Sequence, residues 1–139
     1  MVLSEGLDKP IEAIDLTTRL FGGAVPDERM IEAVRSARTQ GIRTALVSNT
    51  WGLRDSPPWY EELFDAVVLS GREGVRKPEP DIFHLTARRL GFLPAVCVFV
   101  DDILANVDGA RSIGMTGVVH RHPDITIPKL EELFRITLT

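Results

Sequence analysis

The 139-residue sequence predicts an α/β domain with a mainly parallel sheet flanked by helices. Three observations predict it. Short apolar runs rich in β-branched residues recur at Ile42–Ser48, Ala66–Ser70, Ala95–Val100 and Thr116–His120. Segments of helical period lie between them, which is the pattern of βαβ units. Gly41, Gly91 and Gly114 stand where helices should stop.

Element by element, Ile11–Phe21 carries Ile11, Ile14, Leu16, Leu20 and Phe21, a spacing that suits a short helix ended by Gly22-Gly23. Pro26-Asp27-Glu28 opens a second helix to about Gln40, with Met30, Ile31, Val34 and Ala37 on one face. The strand Ile42–Ser48 follows. Trp51–Pro58 is a Pro/Gly-rich loop and Trp59–Phe64 a short helix. The strand Ala66–Ser70 leads into a polar loop, Gly71–Lys77. Pro78–Leu90 is a helix with proline at its start and Ile82, Phe83, Leu85 and Leu90 facing inward. After the strand Ala95–Val100 come a helix at Ala105–Ile113, the strand Thr116–His120 and a closing helix, Ile127–Ile136, with Leu130, Leu133 and Phe134 on one face.

Composition narrows the classes. A hydrophobic fraction of 44% and a charged fraction of 26% are those of a water-soluble globular domain. A net charge of -4 argues against nucleic acid or an anionic membrane as partner. No apolar run has signal-peptide or bilayer length. Cys97 is the single cysteine, so no internal disulfide forms, and within an apolar strand it reads as an inert buried thiol. A cytoplasmic location is the expectation.

Function should sit at the strand ends. In an open parallel sheet, ligands bind beyond the carboxyl ends of the strands, and right-handed crossovers bring Ser48, Ser70 and Asp101 to one edge. Val98-Phe99-Val100-Asp101-Asp102 is the most pointed signal: a buried strand ending in two carboxylates, hard oxygen ligands that suit Mg²⁺. Ser48-Asn49 adds a hydroxyl and an amide. Arg76-Lys77-Pro78-Glu79-Pro80 adds a fixed cation before a helix. Cation, hydroxyl and acid-bound metal together suit a phosphoryl group, whose charge spreads over three oxygens.

In this order and spacing the segments resemble the haloacid dehalogenase-like hydrolase superfamily, from about Pro26 to His120. Leu46-Val47-Ser48-Asn49 resembles its second motif, Val75–Phe83 its third, and Val98–Asp102 through Asn106–Arg111 its fourth. The resemblance implies a Rossmann-like core at 26–139, with 1–25 a remnant of a helical cap. It implies Mg²⁺-dependent hydrolysis of a small phosphorylated metabolite. Ser48 and Lys77 would be the catalytic groups, Ser48, Asn49 and Lys77 the substrate-binding ones, and Asp101 and Asp102 the metal ligands. An acidic pair in the fourth motif favours phosphate esters over halides.

The family's first motif, an apolar strand followed by Asp-x-Asp, is absent from the sequence. Its first Asp is the nucleophile and its second the general acid/base. Asp15, in Ile14-Asp15-Leu16-Thr17-Thr18, reads as a carboxylate on the cap helix or as a displaced nucleophile; Glu12 breaks the apolar run that a buried central strand needs. The resemblance also leaves a gap between the Ala45–Val47 and Val96–Val100 strands. Open edges invite pairing, so the N-terminal residues, direct pairing of the flanking strands, or a second subunit in a homodimer should close it. Two functions stay open: a phosphohydrolase with an incomplete site, or a non-catalytic remnant that binds phosphate or self-associates. A nucleotide-binding module is disfavoured, because no Gly-x-Gly-x-x-Gly or Gly-Lys-Ser/Thr loop occurs. Asp108 and Arg111 read as a helix-surface ion pair. His84 reads as packed or exposed, and His120 and His122 lack partners at zinc-ligand spacing. Trp51, Trp59 and Tyr60 read as a substrate entrance, a subunit contact or plain packing.

Overall fold

The computed structural model describes residues 2–4, 15–16, 27–50 and 58–138, with the backbone alone at 2–4, 15–16 and 58–59. The strands are β1 (Val2–Ser4), β2 (Asp15–Leu16), β3 (Arg43–Ser48), β4 (Ala66–Leu69), β5 (Val98–Asp101) and β6 (Thr116–Val119). The helices are α1 (Glu28–Thr39), α2 (Pro58–Leu63), α3 (Ser70–Glu73), α4 (Pro80–Leu90), α5 (Leu104–Ser112) and α6 (Pro123–Phe134).

Local chemistry explains the boundaries. Asp27 caps α1, its carboxylate accepting from Arg29 N at 2.9 Å and Met30 N at 3.3 Å. Met30, Ala33, Val34 and Ala37 are the buried face of that helix. At the end of α4, Gly91 adopts φ 82°, a left-handed conformation that glycine takes without steric cost. The helix α6 starts four residues earlier than its apolar period predicts. Pro123 occupies its first turn and the His122 ring accepts from Asp124 N at 3.1 Å. A short 3₁₀ turn at Pro94–Val96 delays β5 to Val98, and pairing then extends through Asp101. Ser70, read from sequence as the end of a strand, and Gly71–Glu73, read as loop, together form one helical turn.

The sheet path runs β2-β3-β1-β5-β6, with β4 also paired to β3. Pairs β3/β4 and β5/β6 are parallel, as expected. The expected gap is filled by the N-terminal residues, but in reverse: β1 runs antiparallel to both neighbours, with Val2 opposite Ala45 on one side and Phe99 on the other. Ala45 and Phe99 are therefore level, which places Ser48 level with Asp102 at one sheet edge.

The helix expected over Ile11–Phe21 is corrected where the chain is described: Asp15–Leu16 is strand, parallel to β3 with Asp15 opposite Ala45. Main-chain pairing to a buried strand edge outweighs a weak helical period. The rest of that segment, Gly22-Gly23, and the Trp51–Pro58 loop up to residue 57 lie outside the described residues. The same register bears on Asp15 as a displaced nucleophile. Its backbone lies three residues before the level of Ser48, about 10 Å at roughly 3.3 Å per residue.

Alternation along the strands builds a core on each face. Leu46, Val98 and Val100 join α1, α2 and α6 residues such as Met30, Leu63 and Phe134. Ala45, Val47 and Phe99 join Ile82, Phe83, Val107 and Ala110 of α4 and α5. Phe83 meets Phe99 edge-on, with centroids 4.9 Å apart. Tyr60 is buried and edge-on to Phe64, which favours plain packing among the three readings left open for it. Trp51 lies outside the described residues. Cys97 is buried. No described helix is long and apolar enough to cross a membrane.

His120 ties β6 to its surroundings: its N–H donates to Asp101 O at 2.8 Å and its Nδ1 lies 2.6 Å from Thr126 Oγ1. Burial, the leading influence, holds the imidazole below its ordinary pKa of 6.5. The folded state therefore favours the neutral ring. Its contribution is complete above pH 6.5 and is lost as pH falls through the lowered value. Urea midpoints should drop between pH 7 and pH 5 in the wild type, and the drop should be smaller in His120→Gln.

Candidate active site

Three strand ends build the site. Ser48 closes β3 and is buried. Beyond it, Thr50 links to the end of β4: its N–H donates to Ser70 Oγ at 2.7 Å, and its Oγ1 accepts from Gly71 N at 2.9 Å. Ser70 thus lies at the expected edge as the fastener between two strand ends. Asn49 faces the loop after α3. Its Oδ1 accepts from Lys77 N at 2.9 Å and its Nδ2 donates to Lys77 O at 3.1 Å.

From that anchored backbone the Lys77 side chain turns inward. Its Nζ lies 3.1 Å from Asp101 Oδ2, with the two side chains 2% and 0% exposed. The ammonium also stands 5.8 Å from the centroid of the Phe99 ring, whose π face favours a cation. Asp101 has further donors: Ile103 N at 2.7 Å on Oδ1 and Asn106 Nδ2 at 3.1 Å on Oδ2. Burial pushes Lys77 below the usual lysine range, and the neighbouring Asp101 charge opposes that shift. Burial likewise pushes Asp101 above the usual carboxylate range, against Lys77 and the three hydrogen bonds.

A close approach sets the pair. A Cβ on Gly109 would lie 2.7 Å from Pro78 O, so α5 touches the turn after Lys77 only because residue 109 is glycine. Asn106 is three residues earlier on the same helix face. One face of α5 therefore holds Asp101 through Asn106 and Pro78 through Gly109.

Asp102 is half-buried beside Asp101, and its carbonyl accepts from Arg121 Nη1 at 2.7 Å. Mg²⁺ is commonly held by one or two carboxylates, with water and phosphate completing its shell. Adjacent Asp101 and Asp102 fit that donor set, and Asp101 keeps acceptor capacity beyond its three donors. Among the described residues no cluster of three or more His, Cys, Asp or Glu forms a metal site. The remaining residues behave as read: Asp108 and Arg111 pair on the helix surface at 3.3 Å, His84 is exposed, and His122 caps α6. Asn106 falls in the fourth-motif segment, where the sequence gives it no role of its own. Its signal is its place in the first turn of α5, close after the strand end. Gly109 had no sequence signal beyond being a glycine inside a helix.

An α/β sheet with a buried cation–carboxylate pair and a strand-end hydroxyl at its carboxyl edge defines a class of anion-handling hydrolase cores. The chain belongs to the haloacid dehalogenase-like hydrolases, whose family model matches residues 4–114. It is 33% identical over 78% of its length to mouse acyl-CoA dehydrogenase family member 10, a match to 10% of that protein. It is 29% identical to the sesquiterpene phosphatase AstK of Aspergillus oryzae, covering 84% of this chain and 62% of that one. The chain thus spans less than two thirds of these relatives. In structure it is similar to an uncharacterized protein from Corynebacterium glutamicum, with TM-score 0.77 and 28% identity, covering 88% of this chain and 94% of that one.

Two outcomes follow from the geometry. Lys77→Met strands a buried carboxylate and should cost about 3–5 kcal/mol of unfolding free energy, most of it recovered in Lys77→Met/Asp101→Asn. Equal stabilities for the single and double variants would contradict the pairing. Gly109→Ala drives a methyl into the Pro78 main chain and should cost about 1–3 kcal/mol by urea denaturation.

Proposed function

We propose that the chain is the core of a phosphohydrolase acting on a small phosphorylated metabolite. The observation that carries this reading is the water-shielded Lys77–Asp101 pair at the carboxyl edge of the sheet, one residue short of the level of Ser48. Burying an ion pair is a poor route to stability, because desolvation offsets most of the attraction. A fold that keeps one at the ligand-binding edge gains a preorganised charge there. The kinship with a phosphatase supports phosphate as the ligand.

In this reading the Ser48 hydroxyl donates to a phosphoryl oxygen, and the Lys77 ammonium faces the same group. Asn106 and the Ile103 N–H hold Asp101 in one rotamer. Asp101 and Asp102 would hold Mg²⁺, which when bound neutralises phosphoryl charge. These residues supply the binding and charge-neutralising half of hydrolysis. The register of Asp15, three residues short of the site level, favours a second reading: the same anion site without turnover.

Hydrolysis of an aryl phosphate by the purified chain, with and without Mg²⁺, separates the two. Turnover that needs Mg²⁺ and falls about 10²–10³-fold in Lys77→Met and Asp101→Asn establishes the enzyme. Loss in Asp15→Asn as well would make Asp15 the nucleophile despite its register. Orthophosphate binding that Lys77→Met weakens, with no turnover, establishes the second reading. Neither turnover nor phosphate binding overturns both.

A further inference from the structure

We propose that Asn49 is a positioning residue that sets the place of Lys77, and that it is not a substrate ligand. From sequence Asn49 reads as a positioning amide within the substrate-binding set, with no partner named. The structure supplies that partner. Oδ1 accepts from Lys77 N at 2.9 Å and Nδ2 donates to Lys77 O at 3.1 Å. Both bonds go to the main chain of one residue, 28 positions away in sequence. A side chain that grips the N–H and the C=O of the same residue fixes that residue's Cα and its direction, as a strand partner would.

Asn49 is suited to this because it directly follows Ser48, the last paired residue of β3. The anchor is therefore the sheet itself. From the clamped backbone the Lys77 side chain enters the protein and ends 3.1 Å from Asp101. Neighbouring contacts hold the flanks. Glu79 closes the turn on Arg76, its Oε1 accepting from Arg76 N at 2.9 Å, and Gly109 lies against Pro78. The grip on the Lys77 main chain itself comes from Asn49. Asn49 as a whole is exposed, yet its carboxamide has one acceptor and one donor committed to the loop. An anion in the site would then meet the ammonium that Asn49 has placed. The assignment stands on geometry and does not depend on phosphate being the ligand.

The chain has three lysines, Lys9, Lys77 and Lys129, so a lysine-acylating reagent read by mass spectrometry can follow each. Lys129 is exposed on α6 and serves as the internal reference. In the folded wild type, Lys77 should react at least about a hundredfold more slowly than Lys129, since it reacts through rare opening. Asn49→Ala should raise the Lys77/Lys129 ratio about tenfold, the loss expected for one to two hydrogen bonds. Asn49→Asp, which keeps an acceptor for the Lys77 N–H, should fall between. Val34→Ala, a core truncation on α1 away from this turn, supplies the control at matched stability and should leave the ratio lower than Asn49→Ala does. An unchanged ratio in Asn49→Ala, or one equal to that of Val34→Ala, overturns the proposal. So does wild-type Lys77 reacting as fast as Lys129. An unchanged ratio with weakened orthophosphate binding would return Asn49 to the role of ligand.

Discussion

An ammonium held 3.1 Å from a carboxylate, both out of reach of water, constrains everything around it. Each charge has lost its hydration, and only fixed geometry repays that loss. The surrounding structure can be understood as the means of fixing it. The end of β3 supplies Asn49 to the lysine main chain, β5 supplies Asp101 from a paired strand position, and α5 supplies Asn106 to the carboxylate. Phe99, packed edge-on against Phe83, faces the ammonium from 5.8 Å. Loosening any of these exposes the pair to water and weakens its charge–charge coupling.

The sequence announces those parts that depend on local chemistry. Asp27 as a cap, proline at the start of α4 and glycine at its end, and the abrupt Val-Phe-Val-Asp-Asp boundary each mark an element directly. That Ser48 and Asp101 end parallel strands at one edge was also legible, because right-handed crossovers bring such strand ends together. The remainder depends on tertiary contacts that leave little trace in periodicity. Asn49 reads from sequence as a positioning amide, but its partner is not legible, because nothing local tells its side chain that a loop 28 residues on will lie within reach. Asp15–Leu16 has a helical period, but a strand edge competes for its main chain. A reversed β1 could not be read at all, since a three-residue strand has too short a pattern to orient.

Charge at the opposite end of the sheet serves a different purpose. Asp65 accepts from Thr44 N at 2.7 Å and pairs with Arg38 at 2.9 Å, joining β3, β4 and α1 where the strands begin. Those groups are partly exposed, so water shares the load and the arrangement tolerates adjustment. Among the described residues, the buried ion pair stands at the carboxyl edge, and partly exposed charge joins the elements at the opposite end.

The reversed strand β1 has a mechanical consequence. It pairs with β3 over Arg43–Ala45 and with β5 over Val98–Phe99, so β1 joins the parallel strands around β3 to the parallel pair β5/β6 along a short seam. Above the seam, Phe83 of α4 reaches across to Phe99, and the Lys77–Asp101 contact crosses it at the edge. The ion pair is therefore also a stitch between the two halves. One contact thus both fixes the binding edge and fastens the two sides of the sheet.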